Sequence, residues 1–267
     1  MIGLAYPEIS PVIFSIGPVA IRWYSMAYLA GILLGWWLVA RRVTKYNIPL
    51  TSKNLEDIAF YITLGIILGG RLGYVLFYNA QQYWQHPLEL FAIWHGGMSF
   101  HGGAIGVVVA CWLVCRYLKF PFLKLTDLVA PVVPIGLFLG RLANFANDEL
   151  WGRVTDVSWA VRFPNGGYLP RHPSQLYEAC LEGIGLFILL NCLWRVRYVR
   201  EHSGLISAAF LLGYSVARMI VEQFREPDAQ IGFLWQGITM GQLLSAPFLI
   251  LGIYLAVRPF IAKKKKA

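Results

Sequence analysis

Seven runs of apolar residues, each long enough to cross a bilayer, are separated along this chain by shorter polar stretches. A spanning helix needs about 20 mostly apolar residues. The runs cover roughly 19–40, 58–78, 97–118, 124–142, 176–195, 204–224 and 238–258. The pattern predicts an all-α polytopic membrane protein with seven transmembrane helices, a single integral membrane domain over 1–267. Residues 79–96 mix Trp84, Pro87, Phe91 and Trp94 with polar residues, which suits an arm lying in the membrane interface. Residues 143–175 form the only long polar insertion and read as a small cap.

The basic residues orient the helices. Arg41, Arg42, Lys45 and Lys53 follow the first run, and Arg116, Lys119 and Lys124 lie between the third and fourth. Arg195, Arg197 and Arg200 lie between the fifth and sixth, and Arg258 with Lys263 to Lys266 closes the chain. These fifteen of the 23 Lys and Arg fall on one side, which the positive-inside rule assigns to the cytoplasm. The C-terminus is then cytoplasmic, and the N-terminus and the cap are periplasmic. Glycines recur at four-residue spacing (Gly31 and Gly35; Gly65, Gly69 and Gly73; Gly102 and Gly106; Gly136 and Gly140), which predicts close helix packing in lipid.

Composition agrees. The chain is 57% hydrophobic and only 14% charged, with mean hydropathy +0.56, against about a quarter charged in soluble domains. Ten Trp and fourteen Tyr fit aromatic belts at two interfaces. The net charge of +9 does not point to nucleic acid, because the charges sit between apolar runs and not on one face. Cys111, Cys115, Cys180 and Cys192 all fall in apolar runs without ligand spacing, so buried packing is expected of them. No basic region precedes the first apolar run, so no cleaved signal peptide is expected.

Ionisable residues inside spans are costly, at least about 2.5 kcal/mol each on insertion scales, and are functional candidates for that reason. Here they are Arg71, His101, Arg141, and a stripe of Tyr214, Arg218 and Glu222 at four-residue intervals. At about 1.5 Å of rise per residue, Arg71 and Arg218 lie roughly 10 Å below the outer surface, with His101 and Arg141 somewhat shallower. Tyr24 approaches the same layer from the first run. Cations at one depth need an anion among them. Glu222 can neutralise one, and a phosphate suits the others because guanidinium forks match its oxygens. The plainer reading, an Arg218–Glu222 pair holding the bundle, leaves Arg71, His101 and Arg141 unexplained.

Residues 140–152 read Gly-Arg-Leu-Ala-Asn-Phe-Ala-Asn-Asp-Glu-Leu-Trp-Gly. This segment resembles the signature of the bacterial prolipoprotein diacylglyceryl transferases, with Gly-Arg, Asn-Phe, Asn, Glu and Gly at fixed offsets. Phe100-His101-Gly102-Gly103, Arg171 to Glu178, and Tyr214 through Arg225 are similar to the same family, so the resemblance covers nearly the whole chain. It implies transfer of a diacylglyceryl group from phosphatidylglycerol to the lipobox cysteine of a prolipoprotein signal peptide, at the bacterial inner membrane. It implies no metal and no organic cofactor, and no His, Cys or carboxylate cluster in the sequence has ligand spacing.

The chemistry needs a base for the thiol and fixed cations for the departing phosphate. His101 suits the base by its ordinary pKa, with Glu149 and Glu222 as rivals. Arg141 and Arg218 suit the phosphate. Asn144, Asn147, Tyr24, Arg71 and Tyr214 are candidates for the lipid headgroup. Gly152, also in the substrate-binding set, is expected to serve a backbone conformation.

Two other classes fit less well. Gly97-Met98-Ser99-Phe100 is similar to the serine motif of rhomboid-type proteases, but His101 is two residues away and does not face Ser99 on a helix. An anion or lipid transporter would predict repeated halves, which the sequence lacks.

Overall fold

The computed structural model describes residues 3–17, 19–78, 80–91, 97–227 and 239–264. It is mostly helical and resolves into two compact units, residues 36–126 and residues 1–35 with 127–267. The N-terminal segment departs from the all-α expectation. β1 (Leu4–Ala5) pairs elsewhere, while β2 (Val12–Ile16) and β3 (Val19–Arg22) form an antiparallel hairpin. The physical reason is local: short apolar runs rich in Val and Ile flank Gly17, whose φ of +56° suits a reversal. The first helix, α1 (Trp23–Lys45), therefore begins after the hairpin and not at residue 19.

Within residues 36–126, α2 (Ser52–Tyr78) is followed by α3 (Ala80–Gln85), a 3-10 turn (Pro87–Phe91) and α4 (Phe100–Leu118). The α2–α4 interface is built from the predicted glycines. A Cβ on Gly65 would sit 2.6 Å from the carbonyl oxygen of Gly106, and one on Gly73 would sit 2.6 Å from the Cα of Gly102. Gly69 is crowded by the Gly102 carbonyl in the same way. Removing side chains lets the backbones touch, and dispersion contacts then hold the pair where lipid offers no hydrophobic drive. Arg71 on α2 donates from Nη2 to the Glu89 carbonyl (2.6 Å), from Nε to that of Leu90 (3.0 Å) and from Nη1 to that of Gly97 (3.2 Å). Those bonds tie down the segment expected to be an interfacial arm, of which 79 and 92–96 lie outside the described residues.

The other unit continues from α5 (Phe122–Val129) through a 3-10 turn at Pro131 into α6 (Val133–Ala146). Both strands of the cap follow: β4 (Val161–Arg162) pairs in parallel with β1, and antiparallel with β5 (Pro170–Arg171). Tyr6, Val161 and Phe163 form its small core, with Phe145 and Trp151 packed on it. The Tyr6 hydroxyl donates to the carbonyls of Phe145 (2.8 Å) and Ala146 (3.0 Å), closing the end of α6.

Next come α7 (Ser174–Glu178), a π-helical turn (Ala179–Gly185), α8 (Leu186–Arg195), α9 (Arg197–Glu201), α10 (Leu205–Val221) and α11 (Met240–Lys264). Asp127 caps α10 from α5, accepting from the Gly204 and Ser207 N–H groups at 2.6 and 2.7 Å. Gly31 approaches Gly136 closely: a Cβ there would lie 3.2 Å from the Gly136 Cα.

Five helical stretches are long and apolar enough to cross a membrane: Trp23–Lys45, Ser52–Leu76, Phe122–Ala146, Ser174–Arg195 and Met240–Ile261. Gly102–Leu118 and Leu205–Val221 are shorter apolar helices. Cys111 and Cys115 are buried, as expected, whereas Cys180 and Cys192 stand on outward faces of their helices.

Candidate active site

Arg141 sits on the last turn but one of α6, Arg218 one turn from the end of α10, and both side chains turn inward. They meet at a carboxylate the charge argument had not counted. Glu178 ends α7, completely buried, with Oε2 2.7 Å from Nε of Arg141 and Oε1 2.7 Å from Nη1 of Arg218. The same Oε1 lies 3.1 Å from Nη1 of Arg225. A second buried carboxylate, Glu182, stands in the π-helical turn, 3.4 Å from Nη2 of Arg141 and 3.8 Å from Nη1 of Arg218. Glu222 completes the set, 2.8 Å from Nη2 of Arg218.

Glu222, expected to neutralise one arginine, is therefore one of three anions among them. The signal was present in the sequence: two glutamates four residues apart inside an apolar run are subject to the same insertion penalty as the arginines. The π turn lies where this charge sits, and its Gly183 is packed so tightly on Phe138 that a Cβ would come within 2.7 Å of that side chain.

Asn144 connects this centre to a second group. Its Oδ1 is 3.5 Å from Nη1 of Arg141, and its Nδ2 donates to Oε1 of Glu149 at 2.9 Å. The Tyr24 hydroxyl donates to the same oxygen at 2.6 Å and also contacts Asn144 Nδ2. With Glu178 as the link between the two arginines, the candidates Tyr24, Asn144, Glu149, Arg141, Arg218 and Glu222 thus form one polar chain. Tyr214, a turn before Arg218, is buried and stacks on Phe210 at 6.0 Å between ring centroids.

Asn147 caps the C-terminus of α6, and its buried Oδ1 has no hydrogen-bond partner among the described residues. Gly152 is required for close approach and not for a special φ. Its N–H donates to the His172 carbonyl at 2.8 Å, and a Cβ would lie 2.7 Å from the His172 side chain. At the cap, burial pushes the His172 imidazole pKa below its ordinary value, and its Nδ1 is 3.1 Å from the Tyr177 hydroxyl. Burial also pushes the Asp148 carboxyl up, against an opposing hydrogen bond from the Asn165 N–H.

Arg71 and His101 belong to residues 36–126. The three carbonyl bonds of Arg71 give it an anchoring task there. His101 is the second residue of α4, and its side chain lies outside what the structure describes. Ser99, the serine of the protease alternative, caps α4 by accepting from the Gly102 N–H at 3.2 Å, an ordinary structural duty. Among the described residues, no group of three or more His, Cys, Asp or Glu is placed to hold a metal ion.

Comparison with known proteins identifies the family. Residues 11–258 match the family model described as prolipoprotein diacylglyceryl transferase. A protein of Rickettsia felis named phosphatidylglycerol–prolipoprotein diacylglyceryl transferase is 52% identical over 252 residues, covering 94% of this chain and 97% of its own. Its namesake from Allorhizobium ampelinum is 53% identical over 258 residues, covering 94% and 90%. With residues 11–258 matched by the family model, the chain belongs to the prolipoprotein diacylglyceryl transferase family.

Proposed function

We propose that this membrane enzyme moves the diacylglyceryl group of phosphatidylglycerol onto the lipobox cysteine of a prolipoprotein, in the bacterial inner membrane. The cysteine thiol loses its proton, its sulfur forms a bond to the terminal glyceryl carbon, and the bond from that carbon to the phosphate oxygen breaks. Glycerol phosphate departs, and a thioether remains. Family membership supports the transferase activity and the two substrates. The observation in favour of a phosphate site is that Arg141 and Arg218, on separate helices, converge on Glu178.

In this reading Glu178 holds both guanidinium groups in place, so their positive charge is preorganised for the negative charge that grows on the leaving phosphate. Tyr24, Asn144 and Glu149 hold the glycerol headgroup beside Arg141, with Tyr214 lining the lipid path. His101 takes the thiol proton. Asn147 and Gly152 support the cap, and Arg71 supports the arm. The reaction needs no metal or organic cofactor in this scheme.

The seven apolar helical segments cross the membrane, with the N-terminus and the cap 143–175 periplasmic, the arm 79–96 interfacial and the C-terminus cytoplasmic. The basic residues beside four of the helix ends support this orientation. A reporter fused after Lys266 should read cytoplasmic and one inserted near Asn165 periplasmic; both on one side would overturn the count. The activity is tested by incubating the purified protein with phosphatidylglycerol and a lipobox peptide. Mass spectrometry should find the peptide heavier by a diacylglyceryl group, on the cysteine and only when both substrates are present. An unmodified peptide from folded protein would sink the proposal.

A further inference from the structure

The buried centre contains three guanidinium groups, of Arg141, Arg218 and Arg225, and three carboxyl groups, of Glu178, Glu182 and Glu222. With every group ionised their charges cancel. A phosphodiester anion entering such a centre brings a negative charge beyond those that these three guanidinium groups already meet, and uncompensated charge in a poorly solvated place is strongly unfavourable. Carboxylates crowded around one site relieve this by holding a proton.

The geometry singles out one of the three. Glu178 has nitrogen atoms at 2.7, 2.7 and 3.1 Å, and Glu222 has one at 2.8 Å. Glu182 is held least: its closest guanidinium nitrogens are at 3.4 and 3.8 Å, longer than any of those contacts. It is nonetheless completely buried. The groups facing it are Arg141 from α6, Glu178 from α7, and Tyr214 and Arg218 from α10, with Glu222 a turn beyond. Tyr177 of α7 is turned to His172 and Trp159, and α8 carries only Cys192 and Arg195 at its far end. The π turn places this loosely held carboxyl directly beside both candidate phosphate ligands.

We propose that Glu182 is the proton-carrying member of the centre, neutral whenever a lipid phosphate is bound at Arg141 and Arg218. The proton comes from solvent and settles on a carboxyl oxygen, and no other bond changes. Glu182 thereby sets the charge of the anion site to match a monoanionic phosphodiester. It acts on the lipid through the two arginines and is a positioning residue. The inference rests on the reading of Arg141 and Arg218 as the phosphate site.

Infrared difference spectroscopy tests it on the full chain in a maltoside detergent. The lipid is a diether phosphatidylglycerol, which has no ester carbonyl to mask a carboxylic acid band, and no peptide is added. Retention of radiolabelled diether lipid is measured in parallel. The expected result is a protonated-carboxyl band, shifted in heavy water, in the lipid-bound parent and missing from lipid-bound Glu182→Gln. A bound parent without that band, or a band of equal strength in the variant, overturns the proposal. If Glu182→Gln does not accumulate, the parent grown with carboxyl-labelled glutamate decides: a band that fails to move with the label rules glutamate out. Undiminished lipid retention in both Arg141→Lys and Arg218→Lys would instead overturn the underlying phosphate site, so the two failures are distinguishable.

Discussion

Arg141 reaches Glu178 through Nε, 2.7 Å from Oε2, and not through the two Nη atoms at the tip of its fork. The tip is left facing Asn144 at 3.5 Å and Glu182 at 3.4 Å, longer contacts that an arriving phosphate can replace. One side chain therefore anchors itself and presents a binding edge at once. Lysine, with a single ammonium group, has to choose. Arg141→Lys and Arg218→Lys should each lower turnover roughly 100-fold or more, measured by mass spectrometry of the peptide product. Activity within a few-fold of the parent in both would reduce these arginines to structural charges.

Glu178 and Glu182 should separate in a stability measurement. Glu178→Gln leaves three guanidinium groups around a neutral amide, and breaking a buried pair from one side costs about 3–5 kcal/mol. Glu182→Gln removes a weakly held charge and should be much milder. Thermal unfolding in detergent reads the difference, and equal melting temperatures would contradict the assignment of Glu178 as the shared anchor.

Much of this arrangement was legible in the chain. The apolar runs locate the helices because lipid leaves few ways to hide twenty apolar residues, and Arg141, Arg218 and Glu222 stand out because charge is rare there. The pairing Tyr24–Glu149–Asn144 joins Tyr24 to a motif far away in sequence, so only the type of residue and its depth could be anticipated. Glu178 and Glu182 were visible as letters, but an α-helical reading of 176–195 hides the π turn that follows Glu178 and carries Glu182. The strands β1 to β5 are two to five residues long, too short for alternation to distinguish them from helix or loop.

The glycine seam between α2 and α4 makes a separate claim. Gly102→Ala should destabilise the protein by about 1–3 kcal/mol, since the new methyl meets the backbone of Gly69 with no flexible side chain to yield. Gly140→Ala, whose Cβ would have nothing within 4 Å among the described residues, should leave thermal stability nearly unchanged. A comparable drop in melting temperature for both would show that helix propensity or lipid contact, and not this seam, sets the effect.

Burial holds His172 below its ordinary pKa of 6.5, so the folded cap favours the neutral ring. Between the folded and unfolded values the unfolded chain binds more protons, and stability rises with pH. The contribution is complete above the unfolded value and is lost as the pH falls from it through the folded value. Asp148, pushed up from 3.8, acts in the opposite direction, favouring the fold at low pH. Melting temperature should therefore drop on acidification just below pH 6.5, and His172→Gln should flatten that part of the curve. An unchanged slope in the variant would assign the effect to another group.

Kinetics distinguish His101 from Glu149 as the base. Oε1 of Glu149 already accepts from Tyr24 at 2.6 Å and from Asn144 at 2.9 Å, the bonds of a group that orients its neighbours. His101 stands at the start of α4 with glycines following it. If His101 takes the thiol proton, His101→Gln should lose most activity at neutral pH, because glutamine cannot accept a proton there. Part of the activity should return in alkali, where the thiol ionises unaided, its ordinary pKa being about 8.5. Glu149→Gln should weaken turnover by a similar factor at every pH, since it disturbs the Tyr24 and Asn144 contacts and not a titration. Both variants are compared with the parent at saturating lipid and peptide, so binding changes do not enter. A pH-dependent rescue seen with Glu149→Gln and missing with His101→Gln would move the base to Glu149, and the arginine centre would stand as described.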